Sequence, residues 1–222
     1  MQCRPKHRQA RQQISINGDK MREQPVLKCD FLQGAVNHRL LFGGGRGHHL
    51  PKAVGMKGGQ SPTIIDATAG LGRDAFLLAS LGSQIILIER SYAIHQLLAA
   101  CMEAARQAGG EHKDIIDRMT LIQGDSIALL PHMQADVVLV DPMHPPRKKS
   151  ALVKAEMRAI RDMVGVDEDQ QLLVETALAM ATKRVVLKWP AKAAPLAGLR
   201  PASHQIIGKS IRYDVFMTSK AG

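Results

Sequence analysis

From residue 62 onward the chain alternates between two hydrophobic patterns. TIIDATAG, QIILIER, MTLIQGD and ADVVLVDP are short, nearly continuous apolar runs, the mark of strands buried on both faces. Helical spacing fills the intervals. RDAFLLASLG stops at Gly82. SYAIHQLLAACMEAARQAGG has Ser91 as its predicted N-cap and Gly109-Gly110 as its stop. A short helix is expected around SIALLPHM, and one or two more over residues 150–182, where Met157, Met163 and Met180 are core candidates. RVVLKWP returns as a strand, and SHQIIGKSIRYDVFMTS reads as two strands with a turn near Gly208-Lys209. Strand–helix alternation predicts an α/β fold with a mostly parallel sheet covered on both faces. The closing pair of strands, with no helix between them, predicts an antiparallel edge on a sheet of seven.

The first sixty residues lack this regularity. Residues 1–25 are polar and aperiodic and are expected to form a poorly ordered arm. Residues 26–60 are expected to form an N-terminal extension to a main domain over residues 61–222. Within it, VLKCDFLQGAV fits a strand or a short helix. FGGGRGHHLPKAVG carries five glycines in fourteen residues, so the backbone there turns sharply or approaches something closely.

Composition narrows the class. Hydrophobic residues are 45% of the 222 but aromatics only 3%, so the core must be mainly aliphatic. The three cysteines are far apart, which excludes a disulfide scaffold and suits a reducing cytoplasm. No run approaches the roughly 20 apolar residues of a membrane span, and the basic start has no apolar stretch of a secretory signal behind it. The formal charge of +10 points to a polyanionic partner, nucleic acid first, against the plainer reading of a solvated basic surface.

In such a sheet, ligands bind beyond the carboxyl ends of the strands. The first strand ends in DATAGLGRD, with Asp66, Thr68, Gly70, Gly72, Arg73 and Asp74. The second ends in Glu89-Arg90, 23 residues after Asp66, an offset at which an acid can accept both hydroxyls of a ribose. The third ends in Gly124-Asp125-Ser126 and the fourth in Asp141. Any one of these acids could simply cap a helix. Four consecutive strands with an acid at or just past the end resemble the S-adenosylmethionine (SAM) site of Rossmann-like class I methyltransferases. The competing cofactor is a nicotinamide dinucleotide, since Gly70, Gly72 and Ala75 formally satisfy its glycine fingerprint. Against it, Asp66 stands four residues before the first glycine, as in methyltransferases, and hydride transfer has no use for Asp141-Pro142.

Asp141-Pro142-Met143-His144 resembles the Asp/Asn-Pro-Pro-aromatic motif of methyltransferases that act on exocyclic amino groups. Such a nitrogen is a poor nucleophile because its lone pair is delocalised into the ring. A carboxylate and a backbone carbonyl that accept its N–H groups can localise the lone pair, and the prolines stiffen the loop that aims it. No metal is required. His48 and His49 have no cysteine or carboxylate partners at ligand spacing, so no metal site is expected.

FGGGRG, KAVG, DATAGLGRDAFLLASLG, DPM and KSALVKAEMR followed by VG together resemble the RsmJ family of small-subunit ribosomal RNA guanine-N2 methyltransferases, from about Val26 to Thr218. The resemblance implies SAM as donor and a guanine N2 of 16S ribosomal RNA, or of the small ribosomal subunit, as acceptor. It implies Arg73, Asp74, Glu89, Arg90, Asp125, Ser126 and Asp141 as cofactor positions, and Asp141, Pro142 and His144 as the catalytic loop. His144 stands where the family has an aromatic residue, and residues 1–25 do not resemble the family's longer N-terminal region. Arg147, Lys148 and Lys149 would then meet RNA phosphates beside the catalytic loop, or else form a solvated charge run. Arg46 would approach cofactor or RNA, or sit in a flexible linker. Trp189 would line the substrate pocket or the core. The alternatives are a related enzyme acting on DNA adenine or protein glutamine, and a catalytically silent RNA-binding module.

Overall fold

The computed structural model describes residues 29–32, 45–57, 59–142 and 169–218. Seven strands form one sheet among them: β1 (Ile64–Asp66), β2 (Ile85–Glu89), β3 (Met119–Gln123), β4 (Ala135–Val140), β5 (Ala181–Pro190), β6 (His204–Ile207) and β7 (Ile211–Met217). Their order is β3-β2-β1-β4-β5-β7-β6. The first five are parallel neighbours, β7 pairs antiparallel with β5, and β6 pairs antiparallel with β7. The predicted α/β class and antiparallel edge are thus present, and the last strand of the chain lies inside the one before it. β1 is central, so the chain reverses direction across the sheet between β1 and β4. That reversal opens a crevice at their carboxyl ends.

The described helices are α1 (His49–Ala53), α2 (Arg73–Ser80), α3 (Tyr92–Ala108), α4 (Gly110–Ile116), α5 (Ser126–Leu129) and α6 (Gln170–Met180). Ser91 caps α3 as predicted, its Oγ accepting the Ile94 N–H. The Gly109-Gly110 stop is only half a stop. Gly109 leaves the helix at φ 74°, and Gly110 immediately begins α4, an element the sequence reading did not anticipate.

Period-two alternation along the strands sorts their side chains into two cores. Ile64, Val137, Leu139 and Val186 face one core with α2 and α3 residues; Ile65, Val138, Val140, Val185 and Leu187 face the other with α6. Trp189 belongs to the second core, its indole N–H donating to the Ala194 carbonyl. Met180 packs at that core's margin; Met157 and Met163 lie outside the described residues. The described parts of the N-terminal extension join the first core. Phe31 stacks on Phe76 with ring centroids 4.5 Å apart, and Leu50, Val54 and Met56 are buried beside them. The proposed arm over residues 1–25 lies outside the described residues.

Gly72 sits where these layers meet. Its φ is +67°, and a Cβ there would lie 2.8 Å from Leu98 Cδ1 and 3.3 Å from Phe31 Cζ. An L-residue would meet both left-handed strain and a closed pocket. Gly72→Ala is expected to cost about 2–4 kcal/mol of stability, read by urea denaturation. A loss under about 0.5 kcal/mol would mean that Leu98 and Phe31 yield freely.

Candidate active site

The carboxyl ends of β1, β2, β3 and β4 and the N-terminus of α2 surround a cavity of about 350 Å³. Its size fits a cofactor-sized ligand. Of the residues predicted to meet the cofactor, Asp66, Thr68, Gly70, Arg73, Asp74, Glu89, Arg90, Asp125, Ser126 and Asp141 line it. Gly72 does not: its backbone faces Leu98 and Phe31, so it packs beneath the loop instead of lining the cavity.

The loop after β1 is held by the acids around it. Glu89 accepts the Gly70 N–H at 2.9 Å through one carboxylate oxygen and the Ser91 N–H at 2.8 Å through the other. Each oxygen keeps a further acceptor position. Asp66 accepts the Thr68 N–H, and the Thr68 hydroxyl oxygen accepts the Asp141 N–H at 2.7 Å. The mouths of β1 and β4 are therefore tied together through Thr68. Asp125 caps α5 by accepting the Ile127 N–H, and the Ser126 hydroxyl donates to the Ala67 carbonyl. Arg90 pairs with Asp169 at 3.2 Å across the cavity rim.

Lys188, which the sequence reading passed over, completes the site. Its Nζ lies 2.7 Å from Asp74 Oδ2 and 2.7 Å from Asp141 Oδ2. Register explains the contact. Val140 pairs with Leu187, so the next position along each parallel strand brings Asp141 beside Lys188. Lys188 also follows the Val186 face, toward α2, where Asp74 occupies the first turn. Burial alone would push the Lys188 ammonium down, but Asp141 and Asp74 outweigh it and hold its pKa above the ordinary range. One signal could have found it: VVLKWP places a lone cation inside a strand otherwise buried on both faces.

The carboxylates are raised as well, but for them a higher pKa favours the neutral form. Burial pushes Asp66 up to about 7, with Asp74 and Asp141 adding repulsion against the pull of the Thr68 N–H and Lys188. Burial also raises Glu89, opposed by its two backbone donors. Asp141 is raised by its withdrawal from bulk water and by Asp74, with Lys188 pulling it back, although its side chain is 41% exposed at the cavity mouth.

Arg46 lies elsewhere. Its guanidinium donates to the Gln60 carbonyl, the Ser61 hydroxyl and the Leu81 carbonyl. These groups precede β1 and follow α2, at the end of the sheet opposite the cavity. Arg46 clamps the Gly45–Gly47 turn to that end and does not approach a ligand in the cavity, contrary to one sequence expectation. His144, Arg147, Lys148 and Lys149 lie outside the described residues.

Comparison with known proteins agrees with this geometry. Residues 2–218 match the SAM-dependent methyltransferase family. A protein of Agrobacterium fabrum named ribosomal RNA small subunit methyltransferase J is 60% identical over 188 residues, covering 85% of this chain and 90% of that one. The protein of the same name from Shewanella amazonensis is 46% identical, over 91% and 84%. The crystal structure of a SAM-dependent methyltransferase from Neisseria gonorrhoeae superposes with a TM-score of 0.69 at 34% identity, over 88% of this chain and 76% of that one. The chain belongs to the ribosomal RNA small subunit methyltransferase J family.

Members of this family are SAM-dependent, and the cavity suits that donor. Among the described residues, six carboxylates line it against three cations, Arg73, Arg90 and Lys188. SAM carries a sulfonium, an ammonium and one carboxylate, a net cation. A dinucleotide would bring a doubly negative pyrophosphate to the start of α2, where Asp74 already stands. Charge thus separates the two cofactor readings that the glycine spacing left open. Among the described residues no helix is long and apolar enough to cross a membrane.

The raised Asp66 predicts a pH dependence. Its folded value of about 7 exceeds its ordinary 3.8, so its stabilising contribution is full below 3.8 and is lost as pH rises through about 7. Asp66→Asn, which can still accept the Thr68 N–H, removes this dependence. Relative to the wild type, the Asn variant should gain about 2–3 kcal/mol between pH 5 and pH 8. Urea denaturation at the two pH values reads it, and an unchanged difference would mean that Asp66 titrates normally.

Proposed function

We propose that this protein methylates the exocyclic N2 amino group of a guanine in 16S ribosomal RNA, free or within the small ribosomal subunit, in the cytoplasm. The observation that carries the reading is the place of Asp141, at the cavity mouth, tied to the donor-binding loop through Thr68 and to Lys188. Relatives named for ribosomal RNA favour that acceptor over DNA adenine or protein glutamine. The intact acids of the cavity weigh against a silent RNA-binding module.

The chemistry of each side chain supports a role. Glu89 holds the ribose hydroxyls, with each carboxylate oxygen already oriented by a backbone N–H. Asp125 and Ser126 border the adenine. Asp66, Thr68, Gly70, Arg73 and Asp74 surround the methionine end. SAM, when bound, supplies an electrophilic methyl group on a positively charged sulfur. Asp141 accepts an N–H of the guanine amino group and draws lone-pair density back onto nitrogen. Pro142, buried at the loop's start, fixes the backbone at that step. His144 would offer its imidazole as a stacking surface for the base. Once the nitrogen carries the methyl group it must shed a proton, and Asp141 is placed to take it or pass it to solvent.

Asp141→Ala should lose on the order of 10²–10⁴ in single-turnover rate while retaining its fold. Asp141→Asn should keep part of the activity, because an amide oxygen can still accept a hydrogen bond. Methyl transfer from labelled SAM to ribosomal RNA and to small subunits, followed by nucleoside analysis, should yield N2-methylguanosine. A different methylated nucleoside, or near wild-type rates in the Ala variant, would move the chemistry elsewhere.

The +10 chain brings the RNA to this site, with Arg147, Lys148 and Lys149 meeting its phosphates. RNA affinity should fall linearly with salt on logarithmic axes. Replacing Lys148 and Lys149 together should flatten that slope by about 1–2. An unchanged slope would return both lysines to the solvated surface.

A further inference from the structure

We propose that Lys188 is a positioning residue for Asp141: its ammonium, shared between Asp74 and Asp141, fixes the Asp141 carboxylate in orientation and in its charged form for the incoming amino group. This inference rests on the role assigned to Asp141 above.

The geometry carries it. Lys188 is equidistant from the two carboxylates at 2.7 Å, and its side chain is 21% exposed, so little water competes for it. Asp141 is otherwise held at its backbone, through the N–H donated to Thr68. Lys188 is thus the described group that orients its side chain. A carboxylate in a cavity with two like-charged neighbours takes up a proton, and a protonated Asp141 has lost much of its acceptor strength. Among the described residues, the charged groups around it come from each adjoining element: Asp66 on β1, Asp74 on α2 and Lys188 on β5. Tyr213 on β7 lies across from Lys188 in the register. Asp66 and Asp74 both oppose the charge of Asp141, and Lys188 counters them.

Asp74 therefore acts as a tuner. It draws Lys188 partly away from Asp141 and adds a negative charge of its own. The two neighbours should move the acid limb of the reaction in opposite directions, which mere support of the fold would not do.

The test is the pH dependence of single-turnover methyl transfer to ribosomal RNA at saturating SAM. Lys188→Met should move the acid limb up by about 1–2 pH units, a loss of about tenfold or more below the limb relative to the variant's own plateau. Asp74→Asn should move the limb down. Lys188→Arg, which keeps the charge, should leave it within about half a unit of the wild type. In an Asp141→Asn background, Lys188→Met should no longer move the limb. An equal loss at every pH with an unmoved limb would make Lys188 merely structural and overturn the proposal. A shift that persists without the Asp141 carboxylate would assign the limb to Asp66 and overturn it as well. Should Lys188→Met fail to fold, Lys188→Gln, which also removes the charge, replaces it with the same expected and overturning results. Failure of the underlying reading looks different: Asp141→Ala would then keep wild-type rates, whatever Lys188 does.

Discussion

Crowding of negative charge at the ends of three adjacent elements is the constraint around which the rest of the site is built. Parallel strands in register deliver their last side chains to a common place. Here the side chains facing α2 are Asp66 from β1 and Asp141 from β4, while Asp74 comes from α2 itself. Two unit charges about 4 Å apart repel by about 4 kcal/mol at an effective dielectric of about 20. Left alone, the cluster would take up protons and cease to be anionic. Lys188 changes this because β5 runs parallel to β4 and brings a cation to the same level. It pairs with two of the three acids; Asp66, without a direct cation partner of that kind, is pushed up to about 7 mainly by burial, with repulsion from Asp74 and Asp141 added against the Thr68 N–H and a weaker pull from Lys188.

This acidic cavity sits inside a chain with a formal charge of +10. The two do not conflict. Surface charges are screened over about 8 Å in physiological salt, whereas groups in a narrow cavity interact mostly with one another. A polyanion approaching the exterior meets the net positive field. A small cation entering the cavity meets carboxylates, with Asp66 and Glu89 only 4% and 6% exposed and so hidden from the polyanion. One molecule can therefore attract a cationic donor and an anionic acceptor without bringing either to the wrong place.

Most of the sheet was legible from the sequence because strands buried on both faces leave continuous apolar runs, and their ends are marked by the first acid. The acids at those ends were legible for the same reason, and every one of them lines the cavity. Three things were not. Lys188 acquires its meaning only from the β4–β5 register, a contact between positions 47 residues apart. Gly72 belongs to the same glycine pair as Gly70, and spacing alone cannot tell a glycine that faces a ligand from one that faces a leucine. Arg46 stood in a glycine cluster that suggested close approach to a ligand; the approach is real, but the partners are two backbone carbonyls and the Ser61 hydroxyl at the far end of the sheet.

The glycine loop shows how the packing of the extension reaches the chemistry. Gly70 is held from above, its N–H donated to Glu89. Gly72, two residues on, is held from below by Leu98 and by Phe31, itself stacked on Phe76 of α2. The loop is thus fixed between a cavity carboxylate and an aromatic pair, one member of which comes from the extension before β1. The same loop carries Thr68, whose hydroxyl oxygen accepts the Asp141 N–H. Any displacement of Phe31 must be accommodated by Gly72 or by Leu98, both closely packed, so the strain passes toward Gly70 and Thr68 on one side and α3 on the other. The extension is therefore part of what places the β1 and β4 mouths relative to each other, and its phenylalanine supports the site without touching the cavity.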